Sequence, residues 1–371
     1  MKLRIDHPDL AAAVSYAARS LPVRPPAPVL AGLLLTAGTD QLRVSGFDYE
    51  VSADAAVPAV VSEPGRALVS GRLLADIAGV VRGDVQLTVE GPRLILNAGS
   101  ARFTLPMLPL EEYPALPEPG DPSGTLSGGA FAEAVTQVAT AVSRDDSVPV
   151  LTGISLVIDS GARTLTLSST DRYRFAVRTL EVKDLSPDLP LDSALIPAKP
   201  LLDAAKAAAD DPAVDLSLPG GHGILSLSGD HSATTIRAMG GEFPDYTKLF
   251  PTAFAYTATV DTAALTAAVK RVSLVATKDS PLRLHFADNS LRLEAGTSDD
   301  AQALDNVDTS LDGDELTVAF NPTFLLDGLT ALGTEQFQFQ FTSPTKPAVL
   351  RGAGTNDRAL RYLLMPIRLT N

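Results

Sequence analysis

The chain has 371 residues, of which 45% are hydrophobic and 20% charged; this balance is typical of sequences that bury hydrophobic cores and excludes disorder along the full length. Its 30 lysines and arginines stand against 44 aspartates and glutamates, and the net charge of −14 excludes a protein that coats nucleic acid with its whole surface. The chain has no cysteine, which excludes disulfides, cysteine-ligated metals and cysteine nucleophiles.

The amino-terminal segment Met1–His7 is charged where a secretory signal needs an apolar run. No uncharged apolar stretch reaches the ~20 residues that a membrane span requires. We therefore expect a cytoplasmic protein. The four histidines are too widely scattered to place metal ligands on one helical face, so we expect no metal and no cofactor.

An internal repeat runs through the chain. The segment Val29–Leu35 is followed by an alternating strand pattern that ends at Asp48, and Val150–Leu156 is followed by a similar pattern that ends at Asp171. A weaker copy begins at Pro281. Three units of about 124 residues would fill the chain, and each would have an ordinary domain size.

Each repeat opens with a helical pattern in which apolar residues recur at spacings of three and four, and a second helical pattern lies in its middle. The predicted helices cover Pro8–Ser20, Gly71–Val81, Gly129–Ser143, Lys199–Ala209, Asp261–Val275 and Pro322–Ala331. Asn321 and Pro322 place a proline just inside a helix start, where its missing N–H costs nothing.

Alternating strand patterns follow each helix. They include 41–45, 85–89 with 94–96, 214–218 with 224–227, and 337–341 with 348–351. Two helices on a largely antiparallel sheet per repeat predict an α+β fold of three tandem units. Proline-rich connectors, which disfavour helix, place the domains at 1–120, 121–252 and 253–371.

No set of residues predicts catalysis. The run Pro219–Gly223 lacks the lysine and hydroxyl residue that end a phosphate-binding loop, and it lies between two strand patterns, which favours a hairpin turn. Acidic doublets lie in polar loops rather than in the opposed environments that acid–base catalysis needs; they are Glu111–Glu112, Asp145–Asp146, Asp210–Asp211 and Asp299–Asp300. We therefore predict a protein without enzymatic activity.

Four segments together resemble the bacterial DNA sliding clamp family, the beta subunit of DNA polymerase III. They are Arg24–Leu30, Thr170–Val177, Phe243–Tyr246 and Tyr362–Leu369, and the similarity covers the whole chain in order, spacing and length. The resemblance implies a DNA replication protein, a processivity factor of the polymerase III holoenzyme. Its members form a head-to-tail homodimer, a closed ring of six domains that encircles and slides on duplex DNA.

The resemblance also implies which residues bind DNA and which join the two subunits of the ring. Basic residues on or near the lining helices would face DNA phosphates without reading sequence, and by family position these are Arg24, Arg72, Lys199 and Lys248. A dimer contact would join the first repeat of one chain to the third repeat of its partner through Phe103, Leu105 and Leu274. The alternative for Phe103 and Leu105 is an ordinary core position, which strand alternation predicts equally.

A pocket for short peptides is the second site that the resemblance implies. The polymerase alpha subunit, the clamp loader and other proteins with a clamp-binding motif would use it. By motif it comprises Leu151, Thr170, Arg172, Tyr173, Arg174, Phe175, Pro244, Leu249, Pro347, Met365, Pro366, Ile367 and Arg368. An apolar cleft with a methionine can adapt to several partners. Arg172 and Tyr173 stand where many relatives have glycine and histidine, which gives the pocket a bulkier, charged lip.

Two other functions fit a triplicated fold. The repeats could form an adhesive or ligand-binding module without a DNA role, which would be indifferent to DNA ends. An enzyme site could also lie across the repeat boundaries, which would require converging carboxylates or histidines in a deep polar pocket.

Overall fold

A computed structural model describes residues 1–189, 192–220, 223–245, 249–276, 281–296 and 301–368. These residues form six α-helices, two in each repeat: α1 (His7–Ala17), α2 (Gly71–Val80), α3 (Gly128–Ala139), α4 (Ala198–Ala207), α5 (Thr262–Val272) and α6 (Pro322–Leu332). All six predicted helices are confirmed. The predicted apolar faces are also correct, since Leu10, Val14, Leu265 and Val269 are fully buried.

The helices α1, α3 and α5 end three or four residues earlier than the apolar spacing predicts. The chain continues from α1 and α5 as 3-10 turns at Ala18–Ser20 and Ser273–Val275. After α3, the N–H groups of Ala141 and Val142 donate three residues back along the chain, which is the tighter pattern. A single 3-10 turn keeps its apolar residues on nearly the same face as the α-helix that it continues. The apolar periodicity of the sequence therefore cannot distinguish a 3-10 turn from a last α-helical turn.

Strands make up most of the remaining structure. The first repeat contains β1 (Lys2–Asp6), β2 (Gly32–Ala37), β3 (Gln41–Phe47), β4 (Val51–Pro58), β5 (Val60–Glu63), β6 (Gly65–Ser70), β7 (Asp84–Glu90), β8 (Arg93–Ala98) and β9 (Ala101–Pro106). The second contains β10 (Gly124–Leu126), β11 (Gly153–Asp159), β12 (Thr164–Thr170), β13 (Arg174–Glu181), β14 (Ser193–Pro197), β15 (Val214–Ser217), β16 (Ile224–Ser228) and β17 (Ser232–Arg237). The third contains β18 (Tyr256–Asp261), β19 (Leu282–Ala287), β20 (Ser290–Gly296), β21 (Gln302–Val307), β22 (Thr309–Asp312), β23 (Leu316–Phe320), β24 (Gln336–Phe341), β25 (Ala348–Gly352) and β26 (Arg361–Leu364).

The chain forms two compact units. The first contains residues 1–129, 182–192 and 199–238, and the second contains residues 130–181, 193–198 and 239–371. Within the described residues, the first unit holds a sheet in the order β5-β1-β7-β8-β9 and a second sheet in the order β10-β15-β16-β17-β4-β3-β2-β6. The second unit holds β14-β11-β12-β13-β26-β25-β24-β18-β22 and β21-β20-β19-β23. The proposed domain boundaries at 120 and 252 stay a prediction.

Each unit contains a place where strands of successive repeats pair. In the first unit β4 pairs antiparallel with β17, with Val51 opposite Ile236; we call this the first junction. In the second unit β13 pairs antiparallel with β26, with Arg174 opposite Leu364; we call this the second junction. Every described strand pairing is antiparallel, which confirms the predicted α+β class.

Helix ends follow the expected capping chemistry in the third repeat. The Asp261 side chain accepts from the N–H of Ala264 at 2.7 Å at the start of α5. Asn321 accepts from two N–H groups at the start of α6, where Pro322 takes the predicted position. Gly333 ends α6 with φ of 61°, a left-handed conformation that glycine adopts without strain.

Candidate functional site

The turn between β12 and β13 is built by one carboxylate. Oδ1 of Asp171 accepts hydrogen bonds from the backbone N–H groups of Tyr173 and Arg174, both at 3.0 Å. The Thr170 hydroxyl donates to the carbonyl of Arg174 at 2.7 Å and closes the turn from the other strand. Arg172 takes φ of 79° at the tip, which turns the chain sharply. This turn carries five of the residues predicted for the peptide pocket.

Arg174, the first residue of β13, is the centre of a buried network, with 6% of its side chain exposed. Its Nε donates to Oδ2 of Asp171 at 2.8 Å, and a terminal nitrogen donates to Oδ2 of Asp327 at 2.6 Å. That nitrogen also donates to the Tyr362 hydroxyl at 3.2 Å, and the guanidinium lies 4.4 Å from the centre of the Phe324 ring. Burial alone would lower the pKa of this guanidinium, but Tyr362 and the two carboxylates hold it above its usual value.

Tyr362 completes this network from β26. Its hydroxyl donates to the carbonyl of Phe324 at 3.0 Å. Burial raises the pKa of the phenol above its usual range, and the Arg174 guanidinium opposes that rise. The phenol therefore stays neutral and serves as a hydrogen-bonding group. Arg174 fixes the turn to α6 and β26, since the same side chain reaches both.

Tyr173 and Met365 form an exposed apolar surface beside the turn. Tyr173 is 61% exposed and stacks on Phe324 with ring centres 6.1 Å apart, and Met365 is 42% exposed. The N–H of Met365 donates to the carbonyl of Tyr173 at 2.9 Å, which continues the β13–β26 pairing by one residue. Two large apolar side chains are thus held next to each other in solvent, an arrangement that suits an apolar partner.

An aromatic cluster lies on the same two strands. Phe175, Val177 and Leu363 are buried together, and Phe243 and Phe250 pack against them. Phe243 and Phe250 meet Phe175 edge to face, with ring centres 5.9 Å and 6.2 Å away. Pro244 and Leu249, also predicted for the pocket, are exposed next to these rings in the chain.

The segment after β26 contributes three further predicted residues. Pro366, Ile367 and Arg368 line a cavity of about 130 Å³ in the second unit. The N–H of Ile367 donates to the carbonyl of Ala319 at 2.7 Å, which fixes the segment to β23. Pro347 is half-buried in the turn before β25.

Leu151 is buried in the turn before β11. Arg172, at the tip of the β12–β13 turn, reaches the loop that precedes Leu151, since its guanidinium lies 3.6 Å from a carboxylate oxygen of Asp145. Hydrogen bonds from Ser147, together with Arg172, hold the pKa of Asp145 below its usual value. The charged lip predicted from Arg172 is thus an exposed ion pair.

Three residues of the Arg174 network were not predicted from the sequence: Phe324, Asp327 and Tyr362. Tyr362 lies inside one of the motifs that carry the family resemblance, but no role is predicted for it from the sequence. Phe324 and Asp327 lie on α6, about 150 residues from the turn, and no local pattern links them to it. The one sequence feature that could have indicated a polar contact at this place is Asp327, an acidic residue between the buried leucines Leu325 and Leu329 of α6.

The predicted DNA-binding residues of the first unit are exposed. Arg72 lies on α2, and one of its terminal nitrogens donates to the carbonyls of Pro22 and Val23 at 3.2 and 3.3 Å, beside Arg24. Lys199 lies on α4 with 85% of its side chain exposed and pairs with Asp203 at 2.6 Å. Lys248 lies outside the described residues.

The predicted dimer residues differ in exposure. Leu274 is 85% exposed in the 3-10 turn after α5. Leu105 is buried in the core of the first unit, and Phe103 packs against that core. Their strand β9 is an edge of its sheet, so its backbone is open for further pairing in the described fold.

The described residues contain no group of three or more side chains suited to hold a metal ion. No described helix has the length and apolar character to cross a membrane. Of the acidic doublets, Asp299–Asp300 lies outside the described residues; in Asp210–Asp211, burial and the neighbouring carboxylates of Asp230 and Asp210 raise the pKa of Asp211. In the predicted hairpin, β15 and β16 pair as expected, while Gly221 and His222 lie outside the described residues.

A triplicated α+β fold with an exposed apolar surface at Tyr173 and Met365 and with exposed basic side chains is typical of a scaffold that binds other macromolecules. The DNA polymerase III beta subunit models match it in order: the N-terminal domain at residues 1–117, the central domain at 125–245 and the C-terminal domain at 247–368. The chain belongs to the DNA polymerase III beta subunit family, the bacterial sliding clamps. The predicted resemblance is confirmed, and the chain is a non-catalytic processivity subunit.

Relatives match over the full length. The beta sliding clamp of Streptomyces coelicolor is 50% identical over 378 residues, which cover all of both chains. A beta sliding clamp homolog of Streptomyces muensis is 41% identical and covers 99% of each chain. A crystal structure of the Pseudomonas aeruginosa sliding clamp bound to griselimycin is 27% identical, covers 100% of each chain and superposes with a TM-score of 0.92. The adhesive and enzymatic alternatives are therefore wrong.

Proposed function

We propose that this clamp encircles duplex DNA as a head-to-tail homodimer and tethers a polymerase and other partners through the peptide pocket of its second unit. The observation that carries this function is the full-length 50% identity with a sliding clamp, together with three beta-subunit domains in order. From the same role we also propose a cytoplasmic location, with association to the nucleoid during replication.

Electrostatics support loose binding of DNA. The chain carries a net charge of −14, so DNA is repelled by most of its surface. We infer that Arg24, Arg72, Lys199 and Lys248 contact phosphates. Phosphate contacts carry no sequence information, which sliding requires. The edge strand β9, through Phe103 and the backbone of Leu105, and the exposed Leu274 are our candidates for the subunit contact.

A topological experiment tests the ring. Loaded onto nicked circular DNA by a clamp loader, the protein should remain bound through gel filtration and should leave once a restriction enzyme linearises the circle. Sedimentation should show a particle of twice 38.8 kDa. Equal retention on circular and linear DNA, or a 38.8 kDa particle at high concentration, would contradict the proposal.

The pocket proposal predicts the effect of Met365→Ala. This change removes one exposed apolar contact beside Tyr173 and should weaken griselimycin binding about tenfold, which corresponds to about 1.4 kcal/mol. Isothermal titration calorimetry measures the affinity, and the urea unfolding midpoint should stay unchanged because the side chain is exposed. Griselimycin is the ligand of the Pseudomonas aeruginosa clamp, so it is a suitable probe.

Val60→Ala provides the matched control, since Val60 is also a large exposed apolar residue but lies on β5 in the first unit. That variant should bind griselimycin with unchanged affinity. Unaltered affinity in Met365→Ala would contradict the proposed pocket.

A further inference from the structure

The turn between β3 and β4 repeats the design of the turn between β12 and β13. Oδ1 of Asp48 accepts from the N–H groups of Glu50 and Val51 at 2.9 and 2.7 Å, as Asp171 does in its own turn. Tyr49 takes φ of 75° at the tip. The N–H of Arg237 donates to the carbonyl of Glu50 at 2.8 Å, which matches the bond from Met365 to Tyr173. The two junctions therefore share one backbone plan.

This shared plan defines equivalent residues. Val51 follows Asp48 by three positions, as Arg174 follows Asp171, and both begin the strand after the turn. Val51 pairs with Ile236, and Arg174 pairs with Leu364. Thr234 and Tyr362 each lie two positions before that pairing residue, so they are equivalent as well.

The second helix of each repeat supplies the remaining equivalent position. The sequence Leu-Leu-Asp occurs once in α4 and once in α6, and its first leucine is fully buried in both helices. Asp203 in α4 is therefore equivalent to Asp327 in α6.

A cavity of about 200 Å³ occupies the first junction. Its walls include Val51, Thr234 and Asp203, and these stand where the second junction has Arg174, Tyr362 and Asp327. Valine and threonine are much smaller than arginine and tyrosine. The cavity is therefore the space that a guanidinium and a phenol fill in the second junction.

Two carboxylates of the lining correspond to the acids that bind Arg174. Asp48 lines the cavity, and its Oδ2 receives no hydrogen bond from any residue that the structure describes; the equivalent oxygen of Asp171 accepts from Nε of Arg174. Among the residues that the structure describes, Asp203 binds only the ammonium of Lys199, whose side chain is 85% exposed. An exposed ion pair contributes little to stability, so a better-placed cation can displace Lys199 from Asp203.

The rest of the lining suits an aliphatic stem. Apolar side chains form much of the walls, among them Leu21, Pro22, Ala53, Ala204 and Ala207. The other cation of the lining, Arg19, lies over the Tyr16 ring with its guanidinium carbon 5.4 Å from the ring centre. An alkyl chain would therefore contact the walls while its cationic end meets Asp48 and Asp203.

We propose that the first-junction cavity binds the side chain of an arginine from a partner polypeptide. Arginine fits better than lysine because its planar fork can bind two carboxylates at once, as Arg174 binds Asp171 and Asp327. This site lies in the first unit, uses none of the peptide-pocket residues, and does not depend on that pocket.

Titration of the full-length protein with N-acetyl-arginine amide tests the site, followed by NMR of the Val51, Ala53 and Ala204 methyl groups. These methyl signals should shift with a saturable dose dependence. N-acetyl-citrulline amide, which has the same shape without charge, should bind at least tenfold more weakly. Equal affinity for the two probes, or no shift of the cavity methyl groups, would overturn the proposal.

Two variants test the assigned residues. Asp203→Asn keeps the shape of the side chain and should weaken the arginine probe at least fivefold, and Val51→Arg should abolish binding because its own guanidinium fills the cavity. Met365→Ala should bind the arginine probe normally, which separates this site from the peptide pocket. An unchanged dissociation constant in a folded Asp203→Asn protein would overturn the proposal, whatever the folding of Val51→Arg.

Discussion

The two junctions share the same backbone hydrogen bonds, but one is filled by side chains and the other contains a cavity. In each, an aspartate caps a tight turn and the following strand pairs with a strand of the next repeat. At the second junction Arg174 and Tyr362 fill the space between turn and helix with a charged network, whereas Val51 and Thr234 leave a cavity at the first. Backbone hydrogen bonds therefore determine the shape of the turn in both junctions. The side chains at two equivalent strand positions, Val51 or Arg174 and Thr234 or Tyr362, determine whether the space beside the turn is filled or left as a cavity.

Removal of the central cation should have the largest effect. Arg174→Ala leaves Asp171 and Asp327 without their partner in a largely buried place, so we expect the free energy of unfolding to fall by about 3 kcal/mol. Urea unfolding, followed by circular dichroism, measures this change.

Val51→Ala is the matched control at the first junction. It removes two methyl groups beside an existing cavity, so the loss should be about 1 kcal/mol. Equal losses in the two variants would show that the network does not distinguish the junctions.

Gly328→Ala should have an intermediate effect. Replacing glycine by alanine inside a helix usually raises the stability of the protein. At the buried Gly328, however, a Cβ would lie 2.6 Å from Cε1 of Tyr362. We expect a loss of about 2 kcal/mol from overpacking, measured by urea unfolding.

The equivalent position in α4 is already alanine, and Ala204 faces the cavity. Ala204→Gly should cost about 1 kcal/mol through helix propensity alone. A stabilised Gly328→Ala protein would mean that Tyr362 can move aside without loss.

The smallest effect should come from Lys199→Ala. Lys199 pairs with Asp203 as Arg174 pairs with Asp327, but its side chain is exposed, so the unfolding free energy should change by less than about 0.5 kcal/mol. A loss comparable to that of Arg174→Ala in the same urea experiment would contradict the distinction between an exposed and a buried pair.

The sequence predicts the helices well because their apolar faces are local patterns. Leu10 and Val14, or Leu265 and Val269, mark a buried face within a single turn of helix. The turn at Asp171 is similarly local, since the aspartate caps N–H groups two and three positions away.

The interior of the candidate site could not be predicted in the same way. Arg174 resembled any exposed basic residue on the rim of a pocket until Asp327 and Tyr362, 153 and 188 residues away, were placed beside it. The cavity at the first junction was equally hidden, because small residues such as Val51 and Thr234 define a space only once their neighbours are known.

The pairing of β4 with β17 has a consequence for biosynthesis. Ser52 and Thr235 share a hydrogen bond although 183 residues separate them. At roughly 5–20 residues per second, a ribosome needs roughly 10–40 s to supply the second strand. Throughout that interval the nascent first repeat presents an open edge that other chains can pair with, so a fragment released near residue 120 should aggregate where the finished subunit does not.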